Sequence, residues 1–348
     1  MPSGREPDLS PRRVVVVGAG LMGRWHSLAV RRSGSHIVAI VDQDADLAGK
    51  LAKRYGGLPY RSLGACLERE TVDIAHICTP TETHEWMVRE CINAGVSAFV
   101  EKPFSVSATS TAALIDAATK QGVRICPTHQ YAFQKSVADL VGHLPKLGAL
   151  ATVDLVFQTA GGGQDKTRWA RIAGDILPHP LSILQKVFFA DDIAKAEWCI
   201  AANARGTWQL TARIQQALVR ILLSIEARPT CARATAAGVG GTFEANLFHD
   251  YGIWSAGHVS RLSKISGPGV NAAKHLAAFT GNLVARTVRR EPAYPGLIKL
   301  VSEFHRLDVN CIPITPGQIL QVARIRDWFL DCADVSLAGS GSSERDWP

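Results

Sequence analysis

Residues 14–23 read Val-Val-Val-Val-Gly-Ala-Gly-Leu-Met-Gly, and they restrict the fold more than any other stretch of the chain. Four consecutive valines are stiff at χ1 and suit a short buried strand better than a helix. Gly18, Gly20 and Gly23 follow with GxGxxG spacing. The first permits a tight turn, the second a close backbone approach to a pyrophosphate, and the third close packing of helix on strand. Leu21 and Met22 open that helix, whose N–H groups face the phosphates. GxGxxG alone is a weak signal. Residues 37–41, Ile-Val-Ala-Ile-Val, strengthen it by ending in Asp42, about 20 residues beyond the glycines. An acid there accepts from a ribose 2′-hydroxyl and repels a 2′-phosphate, so NAD is favoured and NADP is the lesser alternative.

Strand-like and helix-like runs then alternate up to residue 126, which implies a parallel, doubly wound α/β sheet with crossover helices. Ligands bind such sheets outside the carboxyl ends of the strands. Gly18, Asp42, Thr79-Pro80-Thr81, Glu101-Lys102-Pro103 and Thr128-His129-Gln130 all fall at such ends. From about residue 149 the texture changes to consecutive strand-like runs with short links, which require a largely antiparallel sheet. Helices are expected at 178–189, 271–290, 295–306 and 316–331. The expected domains are 1–128 for the dinucleotide and 129–335, an α+β unit with an open sheet, for substrate and oligomerisation. The last helix is expected to pack back on the first domain, and 336–348, rich in Ser and Gly, reads as a disordered tail.

At 348 residues two domains are expected, and 47% hydrophobic against 20% charged residues supports sizeable cores. The formal charge of +7 is spread along the chain with no basic stripe and interleaved aromatics, so nucleic acid is not an expected partner. Eight cysteines without CxxC or other metal spacing read as reduced and structural, which points to a cytoplasmic setting and no metal. No run reaches the ~18 apolar residues of a membrane span.

Taken together, the glycine loop, Asp42, the segment Cys78-Thr79-Pro80-Thr81-Glu82-Thr83-His84, Glu101-Lys102-Pro103 and the pair Asp175 and His179 resemble the Gfo/Idh/MocA family, the glucose–fructose oxidoreductase and inositol dehydrogenase relatives. The resemblance covers most of the chain. It implies an NAD(P)-dependent oxidoreductase acting on a sugar, cyclitol, nucleotide sugar or imine, with Lys102 beside the nicotinamide and His179, four residues after Asp175, as acid/base. It adds Thr79, Pro80, Thr81, His84, Glu101 and Gln130 to the coenzyme contacts, and a homodimer or homotetramer to the expected partners. Elementary chemistry agrees with these roles. Reduction of a carbonyl by hydride leaves an alkoxide, which Lys102 stabilises as a fixed positive charge and His179 protonates.

Local sequence adds detail. Lys102 precedes proline, which pushes its backbone to extended geometry and makes the Lys102–Pro103 bond a candidate cis peptide. His179, between Pro178 and Pro180, is expected at a helix N-terminus, where the macrodipole disfavours imidazolium; Asp175, placed just before that helix, counters the effect and fixes the tautomer. Relatives often carry Asp three residues after the histidine, where this chain has Ser182, and Gln130 and Ala132 replace the family's Asn and Arg. A polyol held by that carboxylate is therefore disfavoured, and a nucleotide-linked sugar or its 3-keto form preferred. An NADPH-dependent imine or ketone reductase and a non-catalytic NAD(H)-binding regulator are the rivals. Lys166 and Arg168, in a glycine-containing loop, are solvated or meet phosphates of such a sugar. Residues 271–290 form a basic amphipathic helix. Core packing of Ala272, Leu276, Phe279 and Leu283 with a solvated basic face is preferred over contact with a membrane surface.

Overall fold

The computed structural model describes residues 11–159, 161, 163, 165–203, 205–257, 261–289, 293–306 and 312–338. The chain forms two compact units, residues 1–129 with 297–323 and residues 130–296 with 324–348.

In the first unit, strands β1 (Arg13–Val17), β2 (His36–Val41), β3 (Leu58–Tyr60), β4 (Ile74–Ile77), β5 (Ser97–Val100) and β6 (Ile125–Pro127) alternate with α1 (Leu21–Arg32), α2 (Ala45–Tyr55), α3 (Leu63–Leu67), α4 (His84–Asn93) and α5 (Ala108–Gln121). The sheet order is β3-β2-β1-β4-β5-β6 with every pair parallel. This is the doubly wound order, reversing beside β1. Val14 to Val17 are buried between the helical layers, as a run apolar on both faces requires. The last strand lies slightly later than the run expected to end at Cys126, closing on Pro127.

The second unit begins with α6 (Lys135–Leu147), β7 (Leu150–Gln158), α7 (Trp169–Ile176) and α8 (Pro178–Val187). Strands β8 (Cys199–Asn203), β9 (Thr207–Ile214), β10 (Ala217–Ser224), β11 (Cys231–Gly238), β12 (Gly241–Asn246) and β13 (Tyr251–Ala256) follow. They make one sheet, β13-β12-β11-β7-β10-β9-β8, antiparallel except between β7 and β10. Burial alternates along β9 and β10, so one face carries the core residues Trp208, Leu210, Val219 and Ile221. The other face carries polar groups such as the Arg220–Asp154 ion pair.

Three helices close the described chain: α9 (Arg261–Arg289), α10 (Pro295–Arg306) and α11 (Pro316–Ala338). α10 belongs to the first unit from Leu297 onward and buries Leu297, Leu300, Val301 and Phe304 there. α9 starts ten residues before the expected position 271 and runs through Pro268. Its stripe corrects a second expectation. Leu276, Phe279 and Leu283 are 64%, 46% and 53% exposed and point away from the unit instead of into its core. The expected tail at 336–348 lies outside the described residues apart from 336–338, which continue α11.

Candidate functional site

The glycine loop is built as its spacing requires. Gly18 has φ of +94°, and a Cβ there would lie 2.7 Å from the Cys78 carbonyl oxygen. A Cβ on Gly23 would meet the Gly18 carbonyl oxygen at 1.8 Å, so only glycine lets α1 start against β1. Around a Cβ on Gly20 nothing lies within 4 Å. That open space above the N-terminus of α1 is what a pyrophosphate needs. Asp42, at the tip of β2, accepts from Ala19 N at 2.7 Å and from Asp44 N at 2.9 Å. Its carboxylate is thereby fixed beside the loop, where a ribose would lie.

Two further tips are stapled together. His84 is buried at the start of α4, with Nε2 2.9 Å from the Thr79 oxygen and Nδ1 2.9 Å from the Pro103 oxygen. Burial lowers its pKa against the pull of those carbonyls. A neutral ring donates to only one of the two at a time. His84 thus ties the tip of β4 to the segment after β5. Thr79 and Thr83 share a 2.7 Å hydroxyl bond under the same turn, where Pro80 precedes a single 3₁₀ turn, Thr81–Thr83. The Lys102–Pro103 peptide is cis, as the sequence suggested.

Glu101 is anchored by residues the sequence reading missed. Its Oε2 accepts from Lys102 N at 3.2 Å, and its Oε1 lies 2.9 Å from His26 Nε2. From there a chain of buried rings crosses the unit: His26 Nδ1 to His76 Nδ1 at 3.0 Å, then His76 Nε2 to His305 Nε2 at 2.9 Å. It ends at His305 Nδ1, 2.8 Å from Ser35 Oγ and 3.1 Å from Ser33 Oγ. Burial, then the neighbouring rings, hold His76 well below the usual imidazole range; burial, then Arg124 and Arg12, lower His305 to about 3. Neutral rings carry one N–H each, and a carboxylate only accepts. With His76 and His305 neutral, His26 Nε2 donates to Glu101 and the bonds from His26 through His76 and His305 to Ser35 all share one sense along the chain. Every ring nitrogen is used. Among the described residues no group of His, Cys, Asp or Glu has the arrangement of a metal site.

In the second unit His179 is buried, its ring centroid 4.6 Å from that of Tyr131 and stacked on Phe157 at 6.3 Å with an interplanar angle of 17°. Its helical setting differs from expectation. Leu177, between α7 and α8, has helical angles, so α7 runs almost straight into α8 and His179 does not stand at an open helix N-terminus. Asp175 precedes α8, as expected, from within the last turn of α7, and its Oδ1 accepts from Arg326 Nη2 at 3.1 Å. Arg326 is buried and also donates to the Gly174 carbonyl. No sequence signal pointed to Arg326, which is about 150 residues away and inside a helix of even polarity. Ser182 Oγ donates to the His179 carbonyl, an ordinary back-bond within its helix. Gln130 is buried, and its Oε1 has no hydrogen-bond partner among the described residues. An orphan carbonyl oxygen of this kind is costly unless a ligand donor meets it. Lys166 does not stand free in its loop: its ammonium lies 5.4 Å from the Trp169 ring centroid.

Residues 12–129 match the model of an oxidoreductase family, NAD-binding Rossmann fold, known as Gfo/Idh/MocA. Over residues 12–129 the chain is thus similar to the Gfo/Idh/MocA family. The matched stretch covers the six-stranded parallel sheet β1–β6 of the first unit. Among curated relatives, a 4-carboxy-2-hydroxymuconate-6-semialdehyde dehydrogenase of Sphingobium is 32% identical over 136 residues, 36% of this chain and 43% of the relative. A UDP-N-acetylglucosamine 3-dehydrogenase of Acidithiobacillus ferrooxidans is 30% identical over 117 residues, 34% and 36% of the two chains. The aligned stretch thus spans less than half the length of these relatives. A levoglucosan dehydrogenase in complex with NADH and levoglucosan shares the fold over 96% of this chain and 99% of its own, with TM-score 0.74 at 14% identity.

Proposed function

We propose that the chain is an NAD-dependent dehydrogenase that oxidises a secondary alcohol of a sugar-like substrate, or reduces the matching ketone. The observation that carries this reading is the fixed Asp42 carboxylate beside the open glycine loop, combined with Lys102 held at the tip of β5 through Glu101. A carboxylate at that position bonds ribose hydroxyls and repels a 2′-phosphate, so NAD is favoured over NADP.

Bound NAD supplies the hydride acceptor or donor. The chain's own groups do the rest. Lys102 places a positive charge where alkoxide character develops, and His179 takes the hydroxyl proton during oxidation or returns it during reduction. Asp175 is a positioning residue, locked to Arg326 at the base of the helix that bears His179. The Gln130 side-chain oxygen accepts from an amide of the bound coenzyme or from the substrate. Among substrates a nucleotide-linked sugar is preferred, in line with the UDP-N-acetylglucosamine relative. The polar face of the seven-stranded sheet, with Arg220 and Asp154, suits a contact between copies in a homodimer or homotetramer.

The test is steady-state kinetics of Lys102→Ala and His179→Gln with NAD and a panel of free and UDP-linked sugars, beside NADH titration of each variant. Both variants are expected to bind NADH with affinity close to the parent's and to lose about 100-fold or more in kcat. Parental kcat in both would exclude the catalytic assignment. A parent that binds NADH but exchanges no hydride with any substrate would make the chain a binding regulator instead.

A further inference from the structure

α9 is turned inside out relative to an ordinary surface helix. Its unit-facing side is small or polar: Ala277, Ala278, Gly281, Ala285 and Arg286 line a cleft with Asp139 and Tyr251. Lys274 Nζ donates to the Trp254 carbonyl at 3.0 Å, Asn282 donates to the His249 carbonyl, and His275 packs edge-on against Tyr251. The large apolar residues point the other way. Ile265, Leu276, Phe279 and Leu283 recur at spacings that form one outward stripe, with Val284 and Val288 beside it, all exposed. Scattered exposed apolar residues need no explanation, but a continuous stripe of this length on one helix does.

The charge on the same segment is one-sided. Residues 251–290 contain Arg261, Lys264, Lys274, Arg286, Arg289 and Arg290 and not one Asp or Glu. A second copy of the chain is a poor occupant, because a two-fold contact sets the same patch against itself and brings like charges together with no acid in the helix to pair them. Nucleic acid would meet the basic groups but leave the stripe exposed to water. An anionic lipid surface satisfies both halves: acyl chains take the stripe, and the acid-free, net positive segment is drawn to anionic headgroups. Among the described residues no helix is long and apolar enough to cross a membrane, so the helix would lie in the interface plane.

We infer that α9 is a membrane-docking helix that seats the second unit on anionic lipid through the stripe formed by Ile265, Leu276, Phe279 and Leu283. The inference is independent of the catalytic reading. It is tested by co-sedimenting the full chain with vesicles of phosphatidylcholine alone and of phosphatidylcholine mixed with phosphatidylglycerol in equal parts. Light scattering of the vesicle-free protein reports its mass. Expected is binding about tenfold or more tighter to the anionic vesicles, weakening as salt is raised. The double variant Leu276→Gln with Leu283→Gln should lose that binding while keeping parental NADH affinity and thermal midpoint, since both side chains already face solvent. Absence of vesicle binding by the parent overturns the inference, as does equal binding to neutral vesicles. Full retention of binding by the double variant also overturns it. A parent that ignores vesicles and a double variant of lower mass would assign the stripe to contact between copies.

Discussion

Two neighbouring helices, α9 and α10, carry the same kind of sequence pattern and meet opposite fates. Both have apolar residues at helical spacing with basic residues around them. α10 places Leu297, Leu300, Val301 and Phe304 in the core of the first unit, all at most 1% exposed, while α9 leaves Leu276, Phe279 and Leu283 in solvent. Periodicity shows that a helix has two faces. It does not show which face the rest of the molecule covers. That depends on what lies opposite, and for α10 the opposite surface is specific: Phe304 meets Phe99 at 5.4 Å between centroids, and Arg124 lies 4.7 Å over its ring.

The sharpest way to break this comparison is truncation of its buried anchor. Phe304→Ala should cost about 3–5 kcal/mol, because the lost ring leaves a cavity beside Phe99 and strips Arg124 of its stacking partner. Urea unfolding measures it. A loss below about 1 kcal/mol would mean that α10 packs no more firmly than α9.

Next in size is the effect of pH through the following residue, His305. Its folded pKa of about 3 lies below the ordinary imidazole value of about 6.5, so the unfolded chain binds the proton first as pH falls. Stability is therefore intact above about pH 6.5 and is lost between there and pH 3, by up to about 1.4 kcal/mol per pH unit for each ring so depressed. His76 is shifted in the same direction and adds to the slope. The urea midpoint should fall over that window, and His305→Gln should flatten the fall. At neutral pH the same variant is expected to be less stable by about 1–3 kcal/mol, since His76 Nε2 and the Ser35 hydroxyl lose their partner. A midpoint that does not change between pH 6.5 and 4 would contradict the neutral-ring chain.

The histidines also show where sequence reading reached its limit. β1, the glycine loop, α1, β2 and Asp42 were legible because the turn, the close approach and the acid all act over a few tens of neighbouring residues. His76 sits in the apolar run Ile74–Ile77 and looks like a core anomaly. Its meaning depends on His26, 50 residues earlier, and on His305, 229 residues later. Arg326 is the same case in the second unit, identifiable only once α11 lies beside Asp175. β13, Tyr251–Ala256, is hard to read because it contains a glycine and alternates poorly, and the early start of α9 because Pro268 reads as a helix stop. Local patterns made the glycine loop and Asp42 legible, and long-range partners decided which polar groups could be buried.

The smallest expected effect is the most telling for α9. Leu283→Ala removes a side chain that is about half exposed on the outward stripe, so little area leaves contact and no cavity opens. Leu and Ala are both good helix formers, which keeps the intrinsic term to a few tenths of a kcal/mol. The urea midpoint should move by less than about 0.5 kcal/mol, against several for Phe304→Ala. A loss near 2 kcal/mol in dilute protein would mean that the stripe is already covered, by another copy or by a different seating of the helix. A negligible loss, coupled to impaired vesicle binding, would separate what α9 contributes to folding from what it contributes to attachment. The two helices would then differ not in pattern but in whether the apolar partner is supplied by the chain itself.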